Sequence, residues 1–300
     1  MKVLAAIVTH NRATLLDRCI KNILNQTKLP DTILVVNNGS TDNTDKILDK
    51  YKQLKRIKQN NLGSAGGWNT AIKFCLENDF EYIWLMDDDG YPDQEALKIL
   101  LNNFEDKFSC LSSVIIDEHN HDRFVFPYPL IKKNGVPNTL KFWRKFSYIN
   151  QLPLKENLYY PYAHLFNGAL IKVESIKRIG NVDPGYFIYG DEVDFNFRLL
   201  SDGIVASIPI AKHYHPNVVE RKYSVQRIYY NMKNNLINYR KHYDKPLLRS
   251  ILGPAVIILR VFKANGFGFV VSLIAGKNRK IFFKSIKRGL KQKIGKDFDY

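Results

Sequence analysis

Three consecutive carboxylates, Asp87, Asp88 and Asp89, follow an apolar and aromatic run at residues 82–86. A short, continuous apolar run is typical of a strand that is buried on both faces of a sheet. Adjacent carboxylates at a half-buried sheet edge repel each other unless a cation neutralises them. Mg²⁺ and Mn²⁺ prefer oxygen ligands and often share them with substrate phosphates, so this acidic triplet is a candidate metal site. The alternative is a solvated acidic turn that caps a helix at Pro92.

A second group of acids, Asp191, Glu192 and Asp194, lies among aromatic residues later in the chain. On a helix that begins at Asp191, Asp194 would pair with Arg198 four residues further on. Glu192 would then be surrounded by aromatic side chains, where loss of hydration raises the pKa towards that of a general base. The alternative is an ordinary carboxylate at a helix N-terminus, which the helix dipole favours.

His213 and His215 alternate at the exit of the last predicted strand, which covers residues 204–210. A lone histidine is usually structural, but a His-x-His pair at a strand exit is a candidate for metal ligation. The pattern does not choose between the two histidines, so each remains a candidate ligand.

Gly63, Gly66 and Gly67 precede a helix that we predict over residues 70–76. Glycine lets backbone N–H groups approach a ligand closely, and a helix N-terminus favours an anionic phosphate. The spacing matches neither a Walker loop nor the dinucleotide-binding fingerprint. A tight loop that binds no ligand is the alternative interpretation.

The elements that would position these residues alternate between strand and helix. Apolar runs predict strands at residues 3–8, 32–36, 56–57, 82–86, 109–116 and 164–171. Helical spacing of apolar residues separates the first strands. This alternation predicts a parallel, doubly wound α/β sheet that binds ligands at its carboxyl edge. Residues 117–160 are irregular and rich in proline, so we expect a long excursion that recognises a substrate.

The net charge of +16 is unevenly distributed along the chain. Residues 221–300 contain 19 Lys and Arg against 3 Asp and Glu, and therefore carry the whole excess. This asymmetry predicts a basic appendage for an anionic partner. Residues 277–294 alternate basic with apolar residues, which is typical of an amphipathic helix on an anionic membrane surface. The alternative is that Lys and Arg stems cover the protein's own core.

Other features of the sequence bear on the partners of the protein and on its cellular compartment. Cys19, Cys75 and Cys110 are far apart and form no CxxC pair, which fits a reducing cytosol. A strand-like run begins directly after Lys2, so we expect no secretory signal peptide. The apolar runs at residues 247–275 are too short for a membrane span. Nucleic-acid binding is not expected, because the aromatic residues of the tail alternate with apolar ones.

Five blocks in this order and spacing resemble one protein family over residues 1–216. The blocks are residues 9–12, 36–42, 61–67, 87–89 and 190–194. Together they are similar to family 2 glycosyltransferases with the GT-A fold, a Rossmann-like nucleotide-binding mixed sheet flanked by helices. Within that family they look most like bacterial galactofuranosyl- and rhamnosyltransferases.

The resemblance implies a UDP- or dTDP-sugar donor and Mn²⁺ or Mg²⁺ as cofactor. Asp87 and Asp89 match the family's metal-binding acids, and His215 matches a third ligand. Glu192 matches the catalytic base of a single, inverting displacement at the anomeric carbon, with Asp191 as the alternative. The donor-binding residues expected by the same resemblance are Thr9, Asn11, Arg12, Asn37, Asn38, Asn61, Gly63, Gly66, Gly67, Asp87 and Asp88.

Two positions depart from the pattern of the family. Asn37 stands where many relatives carry Asp, so its contact with the base or ribose is not assured by the resemblance. Glu192 likewise stands where many relatives carry Asp, which lengthens the reach of the base.

We therefore predict a GT-A catalytic domain at residues 1–220 and a basic helical, membrane-associating region at residues 221–300. Within the first, residues 1–116 form the nucleotide-sugar half and residues 117–220 the acceptor half. The location expected is the cytoplasmic face of the cell membrane, with peripheral attachment.

The predicted function is transfer of galactofuranose from UDP-galactofuranose to a lipid-linked glycan in bacterial cell-surface polysaccharide synthesis. A rhamnosyltransferase that uses dTDP-rhamnose is the first alternative. A sugar nucleotidyltransferase would need a basic, Gly-rich loop after the first strand, where this chain has residues 9–12. A non-catalytic membrane adaptor would give the two acidic groups no role.

Overall fold

The computed structural model describes residues 1–132, 135–138, 141, 144–154, 158–217 and 222–298. The strands are β1 (Val3–Thr9), β2 (Thr32–Asn38), β3 (Lys55–Gln59), β4 (Tyr82–Asp87), β5 (Tyr91–Pro92), β6 (Phe108–Asp117), β7 (Asn120–Pro129), β8 (Lys145–Tyr148), β9 (Asn167–Lys172) and β10 (Ile204–His215). The helices are α1 (Ala13–Leu24), α2 (Thr44–Leu48), α3 (Gly63–Leu76), α4 (Ala96–Asn102), α5 (Val173–Ile179), α6 (Asp191–Leu200), α7 (Val225–Lys241), α8 (Pro246–Asn265), α9 (Phe267–Ile274) and α10 (Arg279–Leu290).

The main sheet has the strand order β3-β2-β1-β4-β9-β6-β10-β5. Strands β3, β2, β1 and β4 run parallel, as the alternating pattern predicts. Strand β9 runs antiparallel to both β4 and β6, so the sheet as a whole is mixed, as the resemblance to the GT-A fold predicts, and is not parallel throughout. The chain reaches β9 through β7 and β8 rather than through a helical crossover, and an antiparallel strand needs no such crossover.

Apolar layers cover both faces of the sheet, and β4 contributes to each of them. Ile83 and Leu85 belong to the layer under α3, α5 and α6, whereas Trp84 and Met86 belong to the layer under α1 and α4. All four residues are fully buried, as the apolar run predicts. Because both faces are covered, β4 is fixed in the sheet and delivers the acidic triplet to its carboxyl edge.

The excursion predicted at residues 117–160 contains two strands. Strand β7 pairs with β6 and with β8, and both pairings are antiparallel. Phe124 and Tyr128 of β7 are buried in an aromatic cluster. Pro127 and Pro129 interrupt the strand pattern of the sequence, because proline is confined to edge strands and irregular positions. Residues 133–134, 139–140, 142–143 and 155–157 of this range lie outside the described residues.

The glycine-rich segment is the start of a helix rather than a loop. Helix α3 begins at Gly63, well before the predicted start at residue 70. A Cβ atom at Gly67 would lie 2.4 Å from Cγ1 of Val8, so glycine allows α3 to pack closely on β1. Gly63 has φ +73°, and a Cβ there would lie 2.2 Å from the Phe187 carbonyl oxygen.

The C-terminal helices form a layer with an apolar core of its own. Helix α10 packs on α7 and buries Phe282, Ser285 and Gly289. Beyond α10, Asp297 accepts a hydrogen bond of 2.7 Å from Lys233, whose side chain is fully buried on α7. The inner face of α10 therefore covers the protein's own core through Phe282, Ser285 and Gly289. The predicted boundary at residues 220 and 221 lies outside the described residues.

Helix length and composition bear on how the chain could meet a membrane. In the part of the chain that the structure describes, none of the helices combines the length and the apolar character needed to cross a bilayer. Cys19, Cys75 and Cys110 are all buried and unpaired.

Candidate active site

A cleft of about 1360 Å³ lies at the carboxyl ends of β1, β2 and β4. This volume exceeds the ~300–1,000 Å³ of sites for one small molecule, so the cleft has room for two substrates. Its walls include the predicted residues Thr9, Arg12, Asn38, Asn61, Gly63, Asp87, Asp88, Asp89, Asp191, Glu192 and His215. The predicted residues that do not line it are Asn11, Asn37, Gly66 and Gly67.

Asn11 and Asn37 shape the loops beside the cleft instead of facing it. The buried Asn37 donates from Nδ2 to Oδ1 of Asp45, at 2.7 Å. Asn11 has φ 54°, and its Oδ1 accepts a 2.7 Å hydrogen bond from the Thr41 N–H. The side chain of Asn11 thus joins the loop after β1 to the loop after β2, and that of Asn37 joins the end of β2 to α2.

Arg12 lies against the acidic triplet. Its guanidinium donates to Oδ1 of Asp88 at 2.9 Å and to Oδ2 of Asp89 at 2.6 Å. Arg12 thus lines the cleft, where the resemblance places a donor-binding residue, and its charge is paired with these two carboxylates. Burial and the charges of Asp89 and Asp88 nevertheless raise the pKa of Asp87 well above its ordinary value. Three carboxyl groups thus lie beside one guanidinium, and a further cation at this edge would favour the ionised form of Asp87.

Of the two histidines, His215 reaches the acids. Its Nε2 lies 3.2 Å from Oδ1 of Asp89. His213 is fully buried beneath Gly90, where a Cβ would come within 2.2 Å of the imidazole Nε2. Neither ring nitrogen of His213 has a hydrogen-bond partner among the described residues. His213 is thus a packed core residue, and His215 is the histidine available to a ligand.

The side chains at this edge offer oxygen and nitrogen atoms as possible ligands for a divalent cation. Within the described residues, no group of three or more His, Cys, Asp or Glu side chains is arranged to hold a metal by itself. Mg²⁺, however, is usually bound through one or two carboxylates together with substrate phosphates, not by an all-protein cage. Asp87, Asp89 and His215 fit that kind of shared site, in which the substrate completes the coordination.

Glu192 lies in the first turn of α6 with its side chain 37% exposed at the cleft. Its Oε1 accepts a 2.8 Å hydrogen bond from the Leu165 N–H. Burial among the cleft walls raises the pKa of Glu192 to about 7, against the lowering effect of that hydrogen bond. Asp191 is only 4% exposed and accepts from Oγ of Ser64 at 3.4 Å, and burial raises its pKa to about 6. Glu192 is therefore the more accessible carboxylate of the two.

The loop before α6 is strained. Phe187 and Tyr189 have φ values of 64° and 62°, a left-handed conformation that costs non-glycine residues about 1–3 kcal/mol each. Asn234 of α7 is fully buried, and its amide nitrogen lies within 2.9 Å of three carbonyl oxygens. These oxygens belong to Tyr186, Ile188 and Tyr189. Helix α7 thus stabilises the loop that leads to Asp191 and Glu192.

A buried charge cluster joins α6 to α7. Asp194 is 1% exposed and pairs with Arg198 at 2.8 Å, as the helical spacing predicts. It also accepts hydrogen bonds from Lys241 at 2.5 Å and from His242 at 2.8 Å. Burial alone would raise the pKa of Asp194, but these hydrogen bonds and the charge of Arg198 lower it. The cluster holds α6 in place from the side away from the cleft.

Sequence reasoning placed every site residue before Pro216 and so missed the contribution of α7 and α8. Their residues in the cleft wall are Arg227, Asn231, Asn235, Arg260 and Lys263. The signal was present as a stripe of asparagines at helical spacing (residues 231, 234, 235 and 238), which is unusual on a surface helix.

Comparison with known proteins identifies the family. Residues 5–172 match the model of the family described as "Glycosyl transferase family 2". The chain belongs to glycosyl transferase family 2. It is therefore a glycosyltransferase, as the sequence motifs predict, and the nucleotidyltransferase and adaptor alternatives are set aside.

The family 2 domain has relatives among characterised enzymes and solved structures. The galactofuranosyltransferase GlfT1 of Mycobacterium tuberculosis is 29% identical over 221 residues, which cover 71% of this chain and 70% of that protein. GlfT1 of Mycolicibacterium smegmatis is 28% identical over 222 residues, with 71% and 70% covered.

Two solved structures confirm the predicted GT-A fold. S. aureus TarS aligns with 98% of this chain and 81% of its own, with a TM-score of 0.56 and 16% identity. The mannosyltransferase PcManGT from Pyrobaculum calidifontis, in complex with GDP-Man and Mn²⁺, aligns over 97% and 86%, with a TM-score of 0.55 and 16% identity. At these identities the likeness concerns the fold alone.

Proposed function

We propose that this glycosyltransferase moves galactofuranose from UDP-galactofuranose to a hydroxyl group of a lipid-linked glycan. The similarity to two mycobacterial galactofuranosyltransferases supports the choice of sugar. Transfer of rhamnose from dTDP-rhamnose remains the alternative, because it would use the same motifs. The observation that carries the proposal is that one cleft contains both Glu192, an accessible carboxylate with a raised pKa, and the acidic triplet.

Glu192 has the properties of the general base in this reaction. A carboxyl group with a pKa of about 7 is about half deprotonated at neutral pH, so a large share of the enzyme has a base that binds a proton well. It would take the proton of the acceptor hydroxyl while the acceptor oxygen bonds to the anomeric carbon and the bond to the diphosphate breaks. One base suffices for such a single displacement, which inverts the anomeric configuration.

Asp87, Asp89 and His215 would hold a Mn²⁺ or Mg²⁺ ion. When bound, the cation supplies positive charge that neutralises the diphosphate leaving group. PcManGT, which shares the fold, has been solved with GDP-Man and Mn²⁺, and this supports a divalent cation as the cofactor. Arg12 would keep Asp88 and Asp89 aligned from the other side of the triplet.

Thr9, Asn38, Asn61 and Gly63 would form the donor end of the cleft. They lie at the carboxyl ends of β1 and β2 and at the start of α3, where open α/β sheets bind nucleotides. The side chain of Asn38 donates to the Gly63 carbonyl oxygen at 2.9 Å and accepts from the Leu62 N–H at 3.1 Å. These two bonds fix the start of α3 beside the donor. Residues 1–116 would thus form the donor half, and residues 117–220 the acceptor half.

We further propose peripheral attachment to the cytoplasmic face of the membrane through the C-terminal helices. Exposed apolar side chains are concentrated on α8 and α9 rather than on α10 alone, and exposed basic residues of α10 lie in the same helical layer. Apolar contact combined with attraction to anionic lipids gives reversible membrane binding. The exposed apolar side chains of α8 and α9 are Leu247, Leu248, Ile251, Leu252, Leu259, Phe262, Phe267, Val271 and Ile274.

A panel of nucleotide sugars tests the function. Purified protein is incubated with UDP-galactofuranose, other UDP-sugars and dTDP-rhamnose, each with Mn²⁺ or Mg²⁺, and release of the nucleoside diphosphate is measured. We expect metal-dependent consumption of UDP-galactofuranose, and strongly reduced consumption in Glu192→Gln when a glycan acceptor is present. Preferential use of dTDP-rhamnose would overturn the choice of sugar. Failure to consume any nucleotide sugar would overturn the proposed reaction.

A further inference from the structure

Four basic side chains line the cleft far along the chain from the donor-binding loops. Lys145 belongs to β8, Arg227 to α7, and Arg260 and Lys263 to α8. We call these residues the cationic wall. In the part of the chain that the structure describes, none of the four has a carboxylate partner within ion-pair distance. The acidic triplet, by contrast, already has Arg12.

Two members of the cationic wall repel each other. Lys145 lines the cleft as an exposed residue, and partial loss of hydration there lowers its pKa. The charge of Arg260, which comes from a different element, lowers it further. Bringing two like charges together without a counter-charge is unfavourable. A cleft that keeps two positive charges together is suited to an anionic ligand, because the attraction of the ligand to both charges would offset their repulsion.

The cationic wall lies on the side of the cleft that holds the candidate base. The charge of Arg227 acts on Tyr189, which is three residues before Glu192. Arg227, Asn231 and Asn235 recur at four-residue spacing and form one face of α7 along the cleft. The donor-end residues lie elsewhere in the chain, since Asn38 is the last residue of β2 and Asn61 lies between β3 and α3.

We propose that the cationic wall binds a phosphate or diphosphate group that is covalently attached to the acceptor glycan. The inference rests on the proposed function, because it places the acceptor on the Glu192 side of the cleft. Arginine binds phosphate through paired, charge-assisted hydrogen bonds, and lysine through a point charge. The group would thus anchor the acceptor while its hydroxyl lies at Glu192.

The test uses inorganic pyrophosphate as the probe for this group. Calorimetric titration of the full chain in EDTA removes any divalent cation that could hold pyrophosphate at the acidic triplet. The variant combines Lys145→Gln with Arg260→Gln. The matched control combines Lys28→Gln with Lys52→Gln, two exposed lysines outside the cleft. Thermal unfolding of each variant verifies that it is folded.

We expect the wild type and the control to bind pyrophosphate equally, and the cationic-wall variant to bind it at least about tenfold more weakly. A tenfold change corresponds to ~1.4 kcal/mol, less than the loss of two hydrogen bonds to a charged group. Equal binding by all three proteins, or no binding by the wild type, would overturn the proposal.

Two further measurements identify the source of the phosphate group and separate the anion site from the proposed reaction. If lipid headgroups were the source of the phosphate, the cationic-wall variant would lose binding to phosphatidylglycerol vesicles but keep binding to pyrophosphate, and the proposal would fall. Pyrophosphate binding that depends on the wall, in a protein that consumes no nucleotide sugar, would contradict the proposed function but not the anion site. Unchanged pyrophosphate binding, in a protein that does consume one, would contradict the anion site alone.

Discussion

The side-chain amide nitrogen of Asn234 lies 2.8 Å from the carbonyl oxygen of Tyr189, two residues before Asp191. This contact joins helix α7 to the strained loop that carries the candidate base. Asn238, one turn further along α7, donates from Nδ2 to the carbonyl oxygen of Gly190 at 2.8 Å. Helix α7 is therefore packed directly against the loop that leads to the candidate base.

Replacement of Asn234 by Leu should lower turnover by about tenfold or more while leaving the donor KM close to that of the wild type. Leucine has similar volume but no N–H group, so buried carbonyl oxygens would lose their partner at about 1–3 kcal/mol each. The loop would then relax and move Glu192. Steady-state kinetics with thermal unfolding measure both effects.

The control for that variant is Asn103→Leu, which removes a comparable hydrogen bond to the Ile99 carbonyl oxygen on α4, away from the cleft. It should lower stability without a comparable loss of turnover. Wild-type turnover in Asn234→Leu would show that α7 does not position the base.

Replacement of Asp89 by Ala should abolish transfer and weaken metal-dependent donor binding while leaving the fold intact. Asp89 contacts both Arg12 and His215, and it would be one of two carboxylates on the cation. Donor binding is measured by calorimetry with and without Mn²⁺, and the fold by circular dichroism. Full activity of the wild type in EDTA, or of Asp89→Ala in Mn²⁺, would refute the metal role.

Vesicle sedimentation tests the membrane-facing helices. Phe262→Ser combined with Phe267→Ser removes two exposed aromatic rings, 46% and 71% exposed, from α8 and α9. This variant should bind phosphatidylglycerol vesicles more weakly than the wild type. Wild-type binding should fall in high salt, because each basic residue near an anionic leaflet contributes about 1 kcal/mol of salt-sensitive attraction.

Leu29→Ser combined with Leu158→Ser is the matched control, since both leucines are exposed but lie outside these helices. Equal vesicle binding by both double variants, or equal binding to neutral and anionic vesicles, would rule out the proposed surface. Deletion of residues 277–300 is a poor test, because it would leave Lys233 buried without Asp297. An unpaired buried charge costs about 3–5 kcal/mol.

The features that the sequence predicts well are those set by local patterns. The apolar run at residues 82–86 is a buried strand, and the four-residue spacing of Asp194 and Arg198 gives the expected ion pair. These features need only one strand or helix period to be recognised. The same holds for the acidic triplet, which lies at the carboxyl edge because β4 ends there.

The features that the sequence does not predict depend on distant contacts. Helix α3 starts at Gly63 because glycine can pack against Phe187, more than a hundred residues away. The antiparallel insertion of β9 depends on the strands β7 and β8 before it. The contact between Asn234 and the loop before α6 likewise joins two segments that no local period relates.

The pH dependence of turnover in the wild type and in Glu192→Gln tests the central claim most directly. Burial raises the pKa of Glu192 to about 7, and a general base acts only when deprotonated. Wild-type turnover should therefore be highest above pH 7 and fall by about tenfold per pH unit well below it. Glu192→Gln should be slower by about 10²-fold or more, without this step and with little change in donor affinity. The result that would contradict the assignment of Glu192 as the base is a Glu192→Gln variant with the turnover and pH profile of the wild type, together with an inactive Asp191→Asn variant.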